Sequence, residues 1–176
     1  MKKLISAAFV LSLLSAVLHA QTVTPQADVA VGYSHLEILK GYTISMDGAS
    51  GSVAFNVNNW FGVAGDFGVY HGYPGESLTG ETYTFGPRFS YRKLSRLVPF
   101  AQALFGGSHF SASSGGITGG GSEFAFGLGG GADVNLRRNR KFAVRPQFEY
   151  FGIHSSGSTT DSLRISIGLV YRIGKK

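Results

Sequence analysis

Four carboxylates and four guanidiniums carry the clearest chemical possibility in this sequence: Asp28, Asp66, Asp133 and Glu149 against Arg88, Arg145, Arg164 and Arg172. Each lies in a stretch where apolar residues alternate with small or polar ones, and each falls on the polar parity. Opposite charges gathered on one face either pair in a confined space or line an ion path. Four histidines, His35, His71, His109 and His154, form a second set. Imidazoles at one level are the raw material of a metal site or a proton sensor. Their parity is the apolar one, however, so they point apart, and they read as interfacial residues with no metal. Ser108, His109 and Glu123 supply the residue types of nucleophilic catalysis, but no motif fixes a nucleophile, a base and an orienter. No catalytic residue, cofactor site or metal site is therefore assigned. The Gly119–Gly121 and Gly129–Gly131 runs are not phosphate loops, because no helix follows a strand at either place.

The elements that position these residues have a period of two. Leu163, Ile165, Ile167, Leu169 and Tyr171 alternate with Arg164, Ser166, Gly168, Val170 and Arg172. Period two means a β-strand. The pattern predicts eight strands, near 27–37, 50–58, 60–71, 81–92, 98–109, 122–135, 141–154 and 161–173. Between the second and third lies a tight Asn58-Asn59 turn. Two short basic turns hold Arg92, Lys93 and Arg96, and Arg137, Arg138, Arg140 and Lys141. The remaining connections, Gly41–Ala49, Gly72–Gly80, Ser111–Gly121 and Ser155–Thr160, are rich in Gly, Ser and Thr and read as loops. Short turns at one end and longer loops at the other are the habit of a membrane barrel. The predicted fold is all-β: an eight-stranded antiparallel up-and-down transmembrane β-barrel.

Parity decides which way the barrel faces. The apolar set includes Val31, Tyr33, Phe55, Val63, Phe67, Phe85, Phe89, Phe126, Leu128, Phe148 and Tyr150, and holds no Asp, Glu, Lys or Arg. Eight strands leave a lumen only wide enough for side chains or one small ligand, so that set cannot fit inside. It faces lipid, where a basic side chain at mid-depth costs about 2–4 kcal/mol. Strand five is the weak case, since Gln102 facing inward also sends Phe100 and Leu104 inward. Pro87 and Pro146 fall on the apolar face and mark weak pairing. Reflecting each hairpin about its turn pairs Asp66 with Arg88, Asp133 with Arg145 and Glu149 with Arg164; closing the barrel pairs Asp28 with Arg172. These pairs predict a plugged lumen. Trp60, Tyr91 and Tyr171 form the girdle at the turn end.

Composition agrees with export. Met1-Lys2-Lys3 and the apolar run Leu4–Leu18 read as a signal peptide over residues 1–20, too short to span as a helix. The barrel domain is then 21–176. The chain has no cysteine, which excludes disulfides and thiolate metal sites. Its 26 glycines, 14 phenylalanines and 8 tyrosines suit short strands and tight turns. The formal charge of +6 gathers in the two basic turns and at Lys175 and Lys176, without any nucleic-acid motif, so nucleic acid is not a partner.

The stretch Ser166-Ile167-Gly168-Leu169-Val170-Tyr171-Arg172-Ile173 resembles the last-strand signal of OmpA/OmpX-like outer-membrane β-barrels. Thr84-Phe85-Gly86-Pro87-Arg88 and Val98-Pro99-Phe100-Ala101 are similar to that family's strand openings. The resemblance covers Gln21 onward. It implies an outer-membrane location with both termini periplasmic, outer-membrane lipids and lipopolysaccharide as surroundings, and a monomer. It also implies a signal, at Ser166, Gly168, Tyr171 and Ile173, for the barrel assembly machinery. The chain departs from that signal by continuing with Gly174-Lys175-Lys176 after Ile173. No peptidoglycan-binding domain follows, so a cell-wall tether is not implied. The expected function is a mostly closed, ion-paired barrel with a structural or surface-interaction role through its outer loops, which carry Asp47, Glu76, Glu81, Glu123 and Asp161 against Lys40. A narrow porin-like channel is the alternative, and an envelope lipid enzyme the more distant one.

Overall fold

The computed structural model describes residues 24–40, 42–72, 77–114, 117–136, 141–155 and 157–174. The expected signal peptide lies outside the described residues, as do Glu76, Arg137, Arg138, Arg140, Lys175 and Lys176. Eight strands follow in order: β1 (Ala27–Lys40), β2 (Tyr42–Asn56), β3 (Phe61–Gly72), β4 (Ser77–Ser90), β5 (Leu97–Ser114), β6 (Ile117–Asn135), β7 (Phe142–Ser155) and β8 (Ser158–Ile173). Each pairs antiparallel with its neighbour, and β8 closes on β1 from Ala27↔Ile173 to Leu39↔Asp161.

Registers fix the shape. Starting at Val29, the Cα partners run through Val53, Gly65, Phe85, Phe105, Phe126, Gly152 and Asp161 and return to β1 at Leu39, ten residues further along. That stagger belongs with strands tilted by roughly 35–45°.

Alternation sets direction residue by residue. On β8, Ile165, Ile167 and Leu169 are each more than half exposed, whereas Arg164 is 0 % exposed. The apolar face looks outward and the charged face inward, the reverse of a soluble barrel. β5 follows the same rule from its own starting parity, with Phe100, Gln102 and Leu104 all buried in the lumen. The prolines loosen pairing without shifting it. The β4–β5 ladder breaks at Gly86 and Pro87 and resumes in the same register at Arg88. The β6–β7 ladder breaks between Gly131 and Val134, beside Pro146.

The predicted loops are mostly strand. β2 begins at Tyr42, β4 at Ser77, β6 at Ile117 and β8 at Ser158, and β5 runs on to Ser114. Only residues 41, 73–76, 115–116 and 156–157 separate the strands at that end. His35 and His109 accordingly lie within strands, whereas His71 and His154 stand one residue from the ends of β3 and β7. Gly, Ser and Thr read as loop by composition, yet backbone ladders form regardless of side-chain polarity. Leu39↔Thr43 and Glu37↔Ser45 continue the β1–β2 hairpin well past the apolar band.

One expected outcome follows from the inside-out polarity. Ile167→Arg, on the lipid face, should destabilise the barrel by about 2–4 kcal/mol. Urea unfolding in phospholipid vesicles, read by the fluorescence of Trp60, measures it.

Candidate functional site: an ion-paired lumen

The lumen is filled in layers. Nearest the turn end, Asp28 takes Arg92 Nη2 at 2.6 Å and Arg172 Nε at 3.4 Å. Asn56 stands between them, donating to Asp28 Oδ2 at 3.2 Å and accepting from Arg92 at 2.9 Å. Arg172 also reaches Asp133 at 3.1 Å, and Arg145 grips the same carboxylate with two bonds, of 2.6 and 3.1 Å. Bidentate contact suits the planar guanidinium fork.

A second ionic layer lies above. Arg164 donates to Asp66 at 2.7 Å, to the Tyr70 hydroxyl at 3.0 Å and, through Nε, to Glu149 at 2.7 Å; its Nη2 also meets Glu149. Gln102 donates to the other Glu149 oxygen at 2.6 Å and accepts from Arg88 Nε at 2.7 Å. The Phe100 ring joins the layers, with the Arg88 guanidinium 4.6 Å and the Arg145 guanidinium 4.8 Å from its centroid. Arg164 sits 4.8 Å from the centre of the Phe151 ring. Rings give guanidiniums a favourable surface where water is absent.

Room for these side chains comes from β6. A Cβ at Gly129 would lie 2.4 Å from Glu149 Cγ, and one at Gly131 would lie 3.0 Å from Phe100 Cζ. Towards the outer end the filling turns apolar. Leu36, Ile38, Met46 and Tyr70 pack together, with Ile44, Leu78 and Phe110 against them. A cavity of about 20 Å³ remains, bordered by Ser52, Asp66, Arg145, Gln147 and Ser166. That is space for about one water molecule.

The Asp66–Arg88 pair expected from the sequence does not form. Asp66 lies opposite Thr84, whereas Arg88 lies opposite Gly62, four residues along the strand. At about 3.3 Å per residue the two are too far apart along the wall, and Asp66 instead crosses the lumen to Arg164. Among the described residues the lumen holds five guanidiniums, counting Arg92, and four carboxylates. Arg88 is the one without a carboxylate, and its Nη1 and Nη2 have no hydrogen-bond partner. Sequence reading also missed Arg92, assigned to a turn, the neutral Asn56 and Tyr70, and the partners of the inward-facing Gln102. Their inward parity was visible; their contacts across the lumen were not.

The remaining candidates stay apart. Ser108 is buried in the wall while His109, next along, faces outward beside Ser122 at 3.0 Å, so Ser108, His109 and Glu123 do not converge. His71 meets Thr79 at 3.4 Å, His154 meets Thr159 at 3.1 Å and His35 meets Asp47 at 2.7 Å. No group of three metal-ligating side chains occurs among the described residues. On β8, Ser166 borders the small cavity and Gly168 faces Gly32, with a would-be Cβ 2.9 Å from the Val31 carbonyl. Tyr171 packs on Phe142 with ring centroids 5.1 Å apart, and Ile173 pairs with Ala27.

A closed barrel with an apolar outside and a charged inside defines an integral β-barrel membrane protein. The chain belongs to the outer membrane protein beta-barrel domain family, whose sequence profile matches residues 5–172. No curated protein sequence matches the chain. Among solved structures it is similar to Neisserial surface protein A, with a TM-score of 0.73 and 14 % identity over 87 % of this chain and 100 % of that one. It is also similar to Ail, the attachment invasion locus protein of Yersinia pestis, with a TM-score of 0.62 and 22 % identity over 85 % of this chain and 99 % of that one. A second Ail structure, in complex with the heparin analogue sucrose octasulfate, matches with a TM-score of 0.62 and 20 % identity over 84 % and 97 % of the two chains. These likenesses show the fold, and membership of the family places the chain in the outer membrane.

The two kinds of guanidinium should behave differently. Arg164→Met strands Glu149 and Asp66 and should destabilise the barrel by about 3–5 kcal/mol. Arg88→Met removes a charge with no carboxylate and should cost no more than about 1 kcal/mol, the scale of its bond to Gln102. Urea midpoints of the two variants in vesicles make the comparison.

Proposed function

We propose that the protein is a closed outer-membrane barrel, with a structural or surface-interaction role carried by the strand extensions at its outer end. The single observation behind this reading is the filled lumen, two ionic layers under an apolar cap. β1 begins and β8 ends at the turn end, where Ala27 pairs with Ile173. We place that end in the periplasm, with residues 1–20 as the cleaved leader and Ser166, Gly168, Tyr171 and Ile173 as the strand read by the assembly machinery. The protein works as a monomer, without enzymatic activity.

The outer end differs in chemistry from what a sulfated polyanion such as the Ail ligand requires. Among the described side chains, its outward-facing carboxylates are Glu37, Asp47, Glu81 and Asp161. That rim suits cationic partners, or lipopolysaccharide phosphates bridged by divalent cations. The β5–β6 hairpin is its most prominent feature. It pairs as far as Ser114↔Ile117, while β7 accompanies β6 only up to Phe124.

Planar-bilayer recording of the purified barrel separates this reading from the channel. A closed barrel gives no steady conductance, and Leu36→Ser/Met46→Ser, which wets the cap, should introduce one. A large steady conductance in the unaltered protein would instead make it a narrow porin.

A further inference from the structure

The outward-facing charge of the barrel is polarised. At the outer end it is acidic, through Glu37, Asp47, Glu81 and Asp161. At the turn end it is basic: Lys93, Arg96 and Lys141 are exposed, while Asp28 and Asp133, the acids of that level, are buried inside and paired. Among the described side chains, no lysine or arginine faces outward anywhere between the two ends.

The basic residues share one arc. Asn135 ties the β6–β7 turn to the β4–β5 turn, donating from its backbone to the Arg96 carbonyl and from its side chain to the Ser95 carbonyl, both at 2.9 Å. The Arg172 amide donates to the Lys141 carbonyl at 2.9 Å. Leucines are interleaved with the charges, Leu94 at 44 % and Leu136 at 55 % exposed. The neighbouring stretch of the same rim is aromatic, with Trp60 stacked on Phe89 at 6.0 Å.

We propose that this arc, from Lys93 to Lys141, binds anionic phospholipid headgroups of the leaflet at the turn end. Cationic side chains beside a lipid surface attract acidic headgroups, and the exposed leucines fit the acyl region directly beside them. A soluble polyanion would use the charges and gain nothing from Leu94 and Leu136. The biological assignment rests on the orientation proposed above; the lipid preference itself does not.

Native mass spectrometry of barrels released from vesicles of equal phosphatidylglycerol and phosphatidylethanolamine tests it. The expected result is at least about fivefold enrichment of phosphatidylglycerol on the protein, the factor given by roughly 1 kcal/mol for one basic side chain at the surface. Lys93→Gln/Arg96→Gln/Lys141→Gln should cut that enrichment at least by about half, with Arg96→Gln alone intermediate should the triple variant fold poorly. Equal retention by the unaltered barrel overturns the proposal, as does enrichment that is undiminished in the variants. Pelleting with purified peptidoglycan in place of lipid enrichment also overturns it, in favour of a cell-wall contact. Orientation is read separately, by labelling Ser95→Cys on intact cells with an impermeant maleimide. Labelling there would reverse the orientation and leave the vesicle result standing.

Discussion

Hydrocarbon offers no partner for a backbone amide or carbonyl, so strands that cross it must pair on both edges. That constraint closes β8 onto β1 and removes every edge from the apolar band. Closure then creates a second requirement. Eight strands tilted by the ten-residue stagger enclose a space that side chains must fill. With the large apolar residues turned out to lipid, the filling falls to small residues, guanidiniums and carboxylates.

Those charges are tolerable only because each carboxylate is engaged. Leaving one buried member of a pair alone is costly, whereas the intact pair is close to neutral against an apolar replacement. The network is therefore better understood as a geometric specification than as a large source of stability. Arg164 ties β8 to β7 through Glu149 and to β3 through Asp66, across the lumen. Asp133 and Asp28 do the same between β6, β7, β8, β1 and the β4–β5 turn. Gly129 and Gly131 complete the arrangement by their lack of side chains, since a Cβ at either would press on Glu149 or Phe100. The same filling that positions the strands closes the pore.

Much of this was legible in the sequence, and for a physical reason. Parity is local, so reading Leu163–Arg172 two by two separates lipid-facing from lumen-facing residues without knowing any neighbour. Strand number, antiparallel order and the burial of Gln102 all follow from it. Register is less local. It depends on where a turn is centred, and the long outer strands hid that centre inside residues with loop-like composition. The error placed Arg88 beside Asp66 when Gly62 lies opposite it. Contacts across the lumen are less local still: nothing near Asp66 in sequence indicates Arg164, and nothing in a turn marks Arg92 as reaching back to Asp28. The glycines of β6 were visible, but their purpose became clear only beside Phe100 and Glu149.

The central claim is that carboxylates and guanidiniums facing each other across the lumen hold this wall in register. The Asp66–Arg164 contact, at 2.7 Å between strands that are not neighbours, is its purest instance. A double-mutant cycle with Asp66→Ala, Arg164→Met and the combined variant, measured by urea unfolding in vesicles, tests it most directly. The account predicts a coupling energy of about 1–3 kcal/mol, the range for residues in one buried network. Additive effects, with a coupling below about 0.5 kcal/mol, would contradict it.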